Sequence, residues 1–366
     1  MENKYKHQND WIAIAKGIAI MLVVLGHTAK TEGSMFVFHF VNFVHVPLFF
    51  FASGFFFNEN YLENKTLFIF KRLKGLYWPF VKYNVAFLLL HNSLYTLDIY
   101  TSSYGWMNKI DFLYGWHDIF LRFVNVVAFR GAGENLLGAF WFLPVLFVAS
   151  LSAMFYLYFA KLIKIELVYI KFGGVIFFVM LATLLSKFNV SVWEFNKRTF
   201  LAVSIYLLGF MMKKYSDKIL FYKRYVAIVG VGIVTIATLL YPRNMTTAQT
   251  FVDLWYFLFI CICGIFAIFA ISKMLSKSVF KDFFVFTGQN TLVILALHFI
   301  CFKLVNFAKI WYYGLDFDML SCFPIIFENN NPLWMLLYCI AGIFIPLAIP
   351  AVKSFTQTKL NQLHIR

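Results

Sequence analysis

Apolar residues run along this chain in blocks far longer than the stripe of a half-buried soluble helix. About 20 consecutive, mostly apolar residues suffice to cross a bilayer as a helix. Ten such blocks are legible, roughly at 11–29, 35–57, 78–98, 138–161, 167–186, 197–213, 224–241, 251–273, 283–307 and 333–352. They predict an all-α fold, a polytopic membrane protein of about ten transmembrane helices forming one domain over residues 1–366. The third block is the most interrupted, by Lys82, Asn84, His91 and Asn92.

The polar connections predict the orientation. Lys and Arg gather in alternate short segments: Lys4 and Lys6, then Lys65, Lys71, Arg72 and Lys74, then Lys161 and Lys164, Lys213 to Arg224, Lys273 to Lys281, and Lys353 onward. Basic loops are retained in the cytoplasm, so both termini are expected there. The first block follows a basic start without a small-residue cleavage site, as in a retained signal-anchor helix. The two longest connections, about 99–137 and 308–332, are then outside. Within the first, Ile119, Phe120, Phe123, Val124 and Val127 fall at helical spacing, predicting an amphipathic helix between Gly115 and Arg130 that lies in the outer interface.

Composition agrees, with 61% hydrophobic and 13% charged residues, against about 45–50% and 25% in soluble proteins. The net charge of +15 is accounted for by the cytoplasmic loops, where it suits a lipid bilayer surface or an anionic co-substrate; nucleic acid is not an expected partner. Four of the five cysteines, Cys261, Cys263, Cys301 and Cys339, fall inside apolar blocks and Cys322 stands alone outside, so no disulfide framework is predicted.

Ionisable residues inside spans are costly and call for a function. In the first block Lys16 and His27 are eleven positions apart, which puts them on one helix face roughly 16 Å apart. Lys16 is near the inner end and His27 near the outer. The second block descends through His45 and Pro47, where a kink is expected, and the ninth rises through Asn290 to His298. His27, His45 and His298 are therefore expected at one depth, in the outer half of the membrane. Three histidines without an accompanying acid or thiol give no metal expectation. A histidine in a membrane helix can also serve only as a helix–helix hydrogen-bonding group.

The string from Asp10 through Lys16-Gly17 to Gly26-His27 resembles the opening helix of the membrane acyltransferase-3 family. His45-Val-Pro47-Leu-Phe-Phe-Phe-Ala-Ser53-Gly54 is similar to its second-helix motif. Lys71-Arg72-Leu-Lys74 before Pro79, Trp141-Phe-Leu143 and Leu297-His298 follow in family order. Much of the family carries Arg where this chain has Lys16, which keeps the charge and loses the planar fork. The resemblance implies an O-acetyltransferase that moves an acyl group, usually acetyl, from cytoplasmic acyl-CoA (acetyl-CoA) to a hydroxyl of an extracytoplasmic sugar. The acceptor would be a lipid-linked or polymeric glycan unit, and the setting a bacterial-type cell membrane.

On that basis Lys16, Lys71, Arg72 and Lys74 are expected to meet acyl-CoA phosphates, with Lys213, Lys214 and Arg224 behind them. His27 is expected to act as general base or nucleophile, aided by His45 and His298. Ser53 and Asn290 are expected along the path, and Arg130, Glu134 and Trp141 at the sugar. The competing reading is a polysaccharide transporter, flippase or polymerase without acyl transfer; such proteins place charge pairs or broken helices at mid-membrane.

Overall fold

The computed structural model describes residues 2–29, 32–101, 112–130, 133–163, 167–213 and 224–363. Apolar periodicity becomes helix almost throughout. The order is α1 Glu2–Thr28, α2 Met35–Asn42, α3 His45–Phe55, α4 Lys65–Arg72, α5 Trp78–Thr96, α6 Trp116–Val127 and α7 Phe142–Leu162. It continues with α8 Leu167–Lys187, α9 Lys197–Lys213, α10 Arg224–Leu240, α11 Phe251–Leu275, α12 Lys281–Gln289, α13 Thr291–Tyr313 and α14 Pro332–Leu363. Among the described residues there is no strand, only an isolated bridge between Val192 and Phe195. Lys164, Lys214 and the middle of the first long connection lie outside the described residues.

Among the described residues six segments are long and apolar enough to cross a membrane: Asp10–Thr28, Met35–Phe55, Asn135–Leu162, Phe251–Leu275, Thr291–Tyr313 and Pro332–Thr356. Phe172–Lys187 and Arg224–Leu240 are shorter apolar helices. The two remaining predicted spans, α5 and α9, owe their stability to packing. α9 is buried along nearly its whole length, from Thr199 to Met211, so its neighbours rather than lipid surround it.

Two helix pairs approach backbone to backbone. A Cβ on Gly54 would strike the Tyr206 carbonyl of α9, and one on Gly209 would strike the Phe51 carbonyl of α3. Likewise a Cβ on Gly288 would meet the Ala13 carbonyl, and one on Gly17 the Phe284 carbonyl. Small residues permit such approach, which drives helix association where lipid removes the hydrophobic gain. α1 and the α12–α13 rod share a single register: Asp10 pairs with Lys281 at 2.6 Å, Gly17 abuts Gly288, and His27 stacks on His298 with ring centroids 5.4 Å apart.

Three irregularities shape the interior. The second predicted span breaks at Phe43–Val44, before His45. Pro47 falls in the first turn of α3, where its missing N–H costs no helical bond, so the break precedes the proline and is not a kink at it. Between α4 and α5, Leu73–Tyr77 forms a π-helical turn, a feature that re-aims side chains. Asn290 separates α12 from α13.

Of the polar residues that interrupt the third block, Lys82 is exposed, whereas Asn84, His91 and Asn92 bond to the long connection. Asn84 accepts from the Gly133 N–H at 3.2 Å. Asn92 forms a two-bond clasp with the Tyr114 backbone, at 3.0 and 2.8 Å. His91 has Nδ1 3.0 Å from Glu134 Oε2 and Nε2 3.1 Å from the Phe112 carbonyl, with its ring flat on Tyr114. Burial and the Glu134 charge push the Tyr100 and Tyr114 hydroxyls up from their usual range. α5 thus straps down the long connection, and α6 rides beside it with Trp116, Phe120 and Phe123 exposed, the amphipathic helix that the periodicity predicts.

Replacing His91 by Leu would leave the buried Glu134 carboxylate without its ring partner, a loss of about 1–3 kcal/mol or more. The expected result is a lower melting temperature and faster proteolytic cutting within 112–134, with Glu134→Gln milder because an acceptor oxygen survives.

The second long connection is shorter than 308–332, because α13 continues to Tyr313 and ends on left-handed Gly314. Lys303 and Asn306 from α13 donate to the Leu320 and Cys322 carbonyls, and Lys309 donates to the Ile326 carbonyl at 2.9 Å. Lys309, expected in an outer loop, is instead fully buried and caps that loop from beneath.

Candidate active site

A cavity of about 550 Å³ runs between α1, α3, α7 and α13, within the 300–1,000 Å³ range of small-molecule sites. Lys16, Ser53 and Arg72 line one end, and His27, Asn42 and His45 the other. Helical rise sets these ends roughly 16 Å apart along α1.

At the Lys16 end the π-helical turn follows Arg72 directly. The Arg72 guanidinium donates to Ser53 Oγ at 3.0 Å and to the Tyr206 hydroxyl at 3.3 Å, and it lies over the Phe68 ring. α3, α4 and α9 together fix its position, so its charge enters the cavity at little further entropic cost. Lys71 instead donates to the Tyr61 hydroxyl at 2.9 Å on the exposed surface, and Lys74 is exposed. Lys213 is engaged with the Phe57 carbonyl, and Arg224 is exposed at the start of α10. Of the four cationic residues expected to hold phosphates, Lys16 and Arg72 line the cavity and Lys71 and Lys74 do not.

At the histidine end, Nδ1 of His45 meets the Val41 carbonyl and Nδ1 of His298 meets the Ile294 carbonyl. A carbonyl only accepts, so both rings donate from Nδ1 and keep a lone pair on Nε2. Both bonds run to the carbonyl four residues back, from α2 for His45 across the break and within α13 for His298. His45 lines the cavity, whereas His298 lies behind His27, fully buried, its Nε2 without a hydrogen-bond partner among the described residues. Phe299 closes the pair at 4.7 Å from the His27 centroid. The three predicted histidines do converge, with His27 and His45 on the wall and His298 supporting His27.

Asn290 bonds the Phe286 carbonyl at the helix break, and its neighbour Thr291 reaches the cavity. Trp141 opens α7 and lines the cavity, with Arg198 stacked on its indole at 4.6 Å. Glu134 is buried against His91, and Arg130 is exposed nearby; neither belongs to the cavity wall. Asn244 and Thr246 from the α10–α11 turn line the cavity, and Tyr206 and Arg198 adjoin it through Arg72 and Trp141; none is among the residues singled out by the sequence. No group of three metal-ligating side chains occurs among the described residues.

A thin cavity with fixed cations at one end and imidazole lone pairs at the other suits transfer from an anionic carrier. A family model for an acyltransferase domain matches residues 9–349. The chain belongs to the acyltransferase-3 family. No curated protein and no solved structure matches it. The matched span contains every motif read from the sequence, from Asp10 to His298, and the helices that build the cavity. With its apolar helices, the protein is a multi-pass membrane acyltransferase.

Proposed function

We propose that this acyltransferase takes an acyl group, acetyl in the first instance, from cytoplasmic acyl-CoA and delivers it to a sugar hydroxyl on the far side of the membrane. The observation that carries this reading is the single cavity shared by Lys16, Arg72, His27 and His45. The topology is ten spans with both termini cytoplasmic, in a bacterial-type cell membrane. α5 and α9 complete the count because one is strapped by its polar residues and the other is enclosed by helices.

Acyl-CoA phosphates meet Arg72 and Lys16 as charge-assisted partners, and the pantetheine arm lies along the cavity with its thioester toward His27. The acceptor hydroxyl then gives its proton to an imidazole nitrogen as its oxygen attacks the thioester carbonyl carbon. The carbon–sulfur bond breaks, and the thiolate recovers the proton as free CoA. If His27 attacks first, the acyl group rests on the ring and the same proton transfer follows in the second step. Either route needs an unprotonated nitrogen, and His298 behind His27 keeps that ring from turning away.

Binding of tritiated acetyl-CoA to the purified full chain in lipid nanodiscs tests the donor end. Lys16→Ala and Arg72→Ala should each weaken binding by about tenfold or more, the worth of a charge-assisted hydrogen bond, and Lys71→Ala by less. Absence of binding by a folded protein would end the reading in favour of a transporter.

A further inference from the structure

The donor end of the cavity is built from Arg72 and Lys16, and beside its histidine end a further cation, Arg198, stacks on the lining residue Trp141. The C-terminal end of α3 meets the C-terminal end of α9, through the Lys213 bond to the Phe57 carbonyl at 3.0 Å and the Phe57–Phe210 rings at 5.4 Å. The two helices therefore run the same way, and the first turn of α9 sits at the level of His45. There the Arg198 guanidinium lies 4.6 Å from the Trp141 ring centroid. Arg198 is half-buried and donates no hydrogen bond to any described residue. Lys197 beside it is already committed, to the Thr246 carbonyl at 2.6 Å, and so holds the α10–α11 turn against the cavity.

The neighbouring turns are tied together, and the first of them ends α6 with Phe129 packed on Tyr77, Phe80 and Phe147. Phe129 and Trp193 both adopt left-handed backbone, at φ 59° and 51°, which is rare for bulky residues. They are joined to each other, Trp193 Nε1 donating to the Phe129 carbonyl at 3.2 Å. The junction brings Arg130, whose exposed guanidinium likewise bonds no described residue, onto the segment that leads to Arg198. Of the acidic groups in this neighbourhood, Asp253 is engaged by Arg243 and Tyr241, which leaves Glu194. It faces Arg198 without forming an ion pair, and burial pushes its carboxyl up against the opposing pull of Arg198.

We propose that Arg198, stacked on Trp141, forms an acceptor subsite for an anionic group, a carboxylate or a phosphate carried by the glycan that receives the acyl group. This rests on the acyl-transfer reading above. A guanidinium fork holds either group through two parallel hydrogen bonds. The indole fixes the plane of the fork beside Trp141, which itself lines the cavity. A neutral sugar leaves those donors unpaired, and discrimination follows from that. The carboxylate source is a uronic acid and the phosphate source is a glycosyl phosphate, including a lipid-linked one.

The test presents nanodisc-embedded full chain to arrayed neutral glucans, glucuronate-containing oligosaccharides and glycosyl phosphates, beside binding of labelled acetyl-CoA. Binding should favour one or both anionic sets, and Arg198→Gln should lower it by about tenfold to a hundredfold. Arg198→Lys, keeping charge without the fork, should fall between. Retention on glucuronates alone assigns the carboxylate, and retention on glycosyl phosphates alone the phosphate. Equal binding of neutral glucans, wild-type binding by Arg198→Gln, or no glycan bound at all overturns the subsite. Binding of acetyl-CoA reports separately: if it is present while the glycan preference is absent, only the acceptor inference falls, and if it is absent the acyl-transfer reading falls with it.

Discussion

Acyl transfer by His27→Ala is expected to drop by about a hundredfold to ten-thousandfold, the usual contribution of a positioned acid–base group, with the protein still inserted and folded. His27 is half-buried on the cavity wall rather than deep in the core, so its removal empties space beside a ligand path without opening the helix bundle. The helix register survives in the same variant, because the Asp10–Lys281 pair and the Gly17–Gly288 contact remain. His298→Ala should cost less, since that ring reaches the cavity only through His27. Rates of acetyl-CoA-dependent transfer, with thermal melting as the folding control, decide the matter. Full activity in His27→Ala together with loss in His45→Ala would move the base to His45, which also lines the cavity.

The largest effect on stability is expected from a single methyl group at Gly54. Its Cβ would strike the Tyr206 backbone, which no change of rotamer can relieve, and the reciprocal Gly209–Phe51 contact prevents α3 from sliding away. Overpacking a tight core costs about 1–3 kcal/mol, and more where backbone must move. The same displacement separates Ser53 from Tyr206, the two hydroxyls that hold Arg72. Gly54→Ala should therefore lower both the melting temperature and the affinity for acyl-CoA. Gly232→Ala is the contrast, for its Cβ meets nothing within 4 Å in mid-helix, and there Ala should be neutral or stabilising by up to about 1 kcal/mol. A Gly54→Ala protein that melts and binds as wild type would show that α3 and α9 are not clamped together.

Hydrophobic periodicity located the helices because each span must bury its backbone polar groups in its own hydrogen bonds, whatever surrounds it. Depth along the helices followed from the same regularity, which is why His27, His45 and His298 could be placed at one level before any tertiary contact was known. Lateral position was not legible. Lys71 and Lys74 share a basic run with Arg72, yet only Arg72 turns inward, at a π-helical turn that no pattern of apolar residues announces. Asn84, His91 and Asn92 read as defects in a span, whereas they are the bonds that fasten a connection to it. Glu134, expected near sugar, is consumed in that fastening.

Arg198 left one trace in the sequence: Lys197-Arg198 opens a span at its expected outer end, against the inward bias of positive residues. Its stacking on Trp141 joins residues 57 positions apart, a relation that spacing cannot reveal. Lys303 and Lys309 are similar cases. Their partners are loop carbonyls, which carry no side-chain signature.

The central claim is that the acyl group passes through the cavity from the Lys16–Arg72 end to the His27 end. Proteoliposomes holding the full chain in one orientation, with labelled acetyl-CoA on the side of Arg72 and a glycan acceptor on the opposite side, test it most directly. The account predicts label on the acceptor across the membrane only when acetyl-CoA is supplied at the Arg72 side, with the signal lost in His27→Ala. Label appearing on an acceptor confined to the same side as acetyl-CoA, at an equal rate, would contradict it.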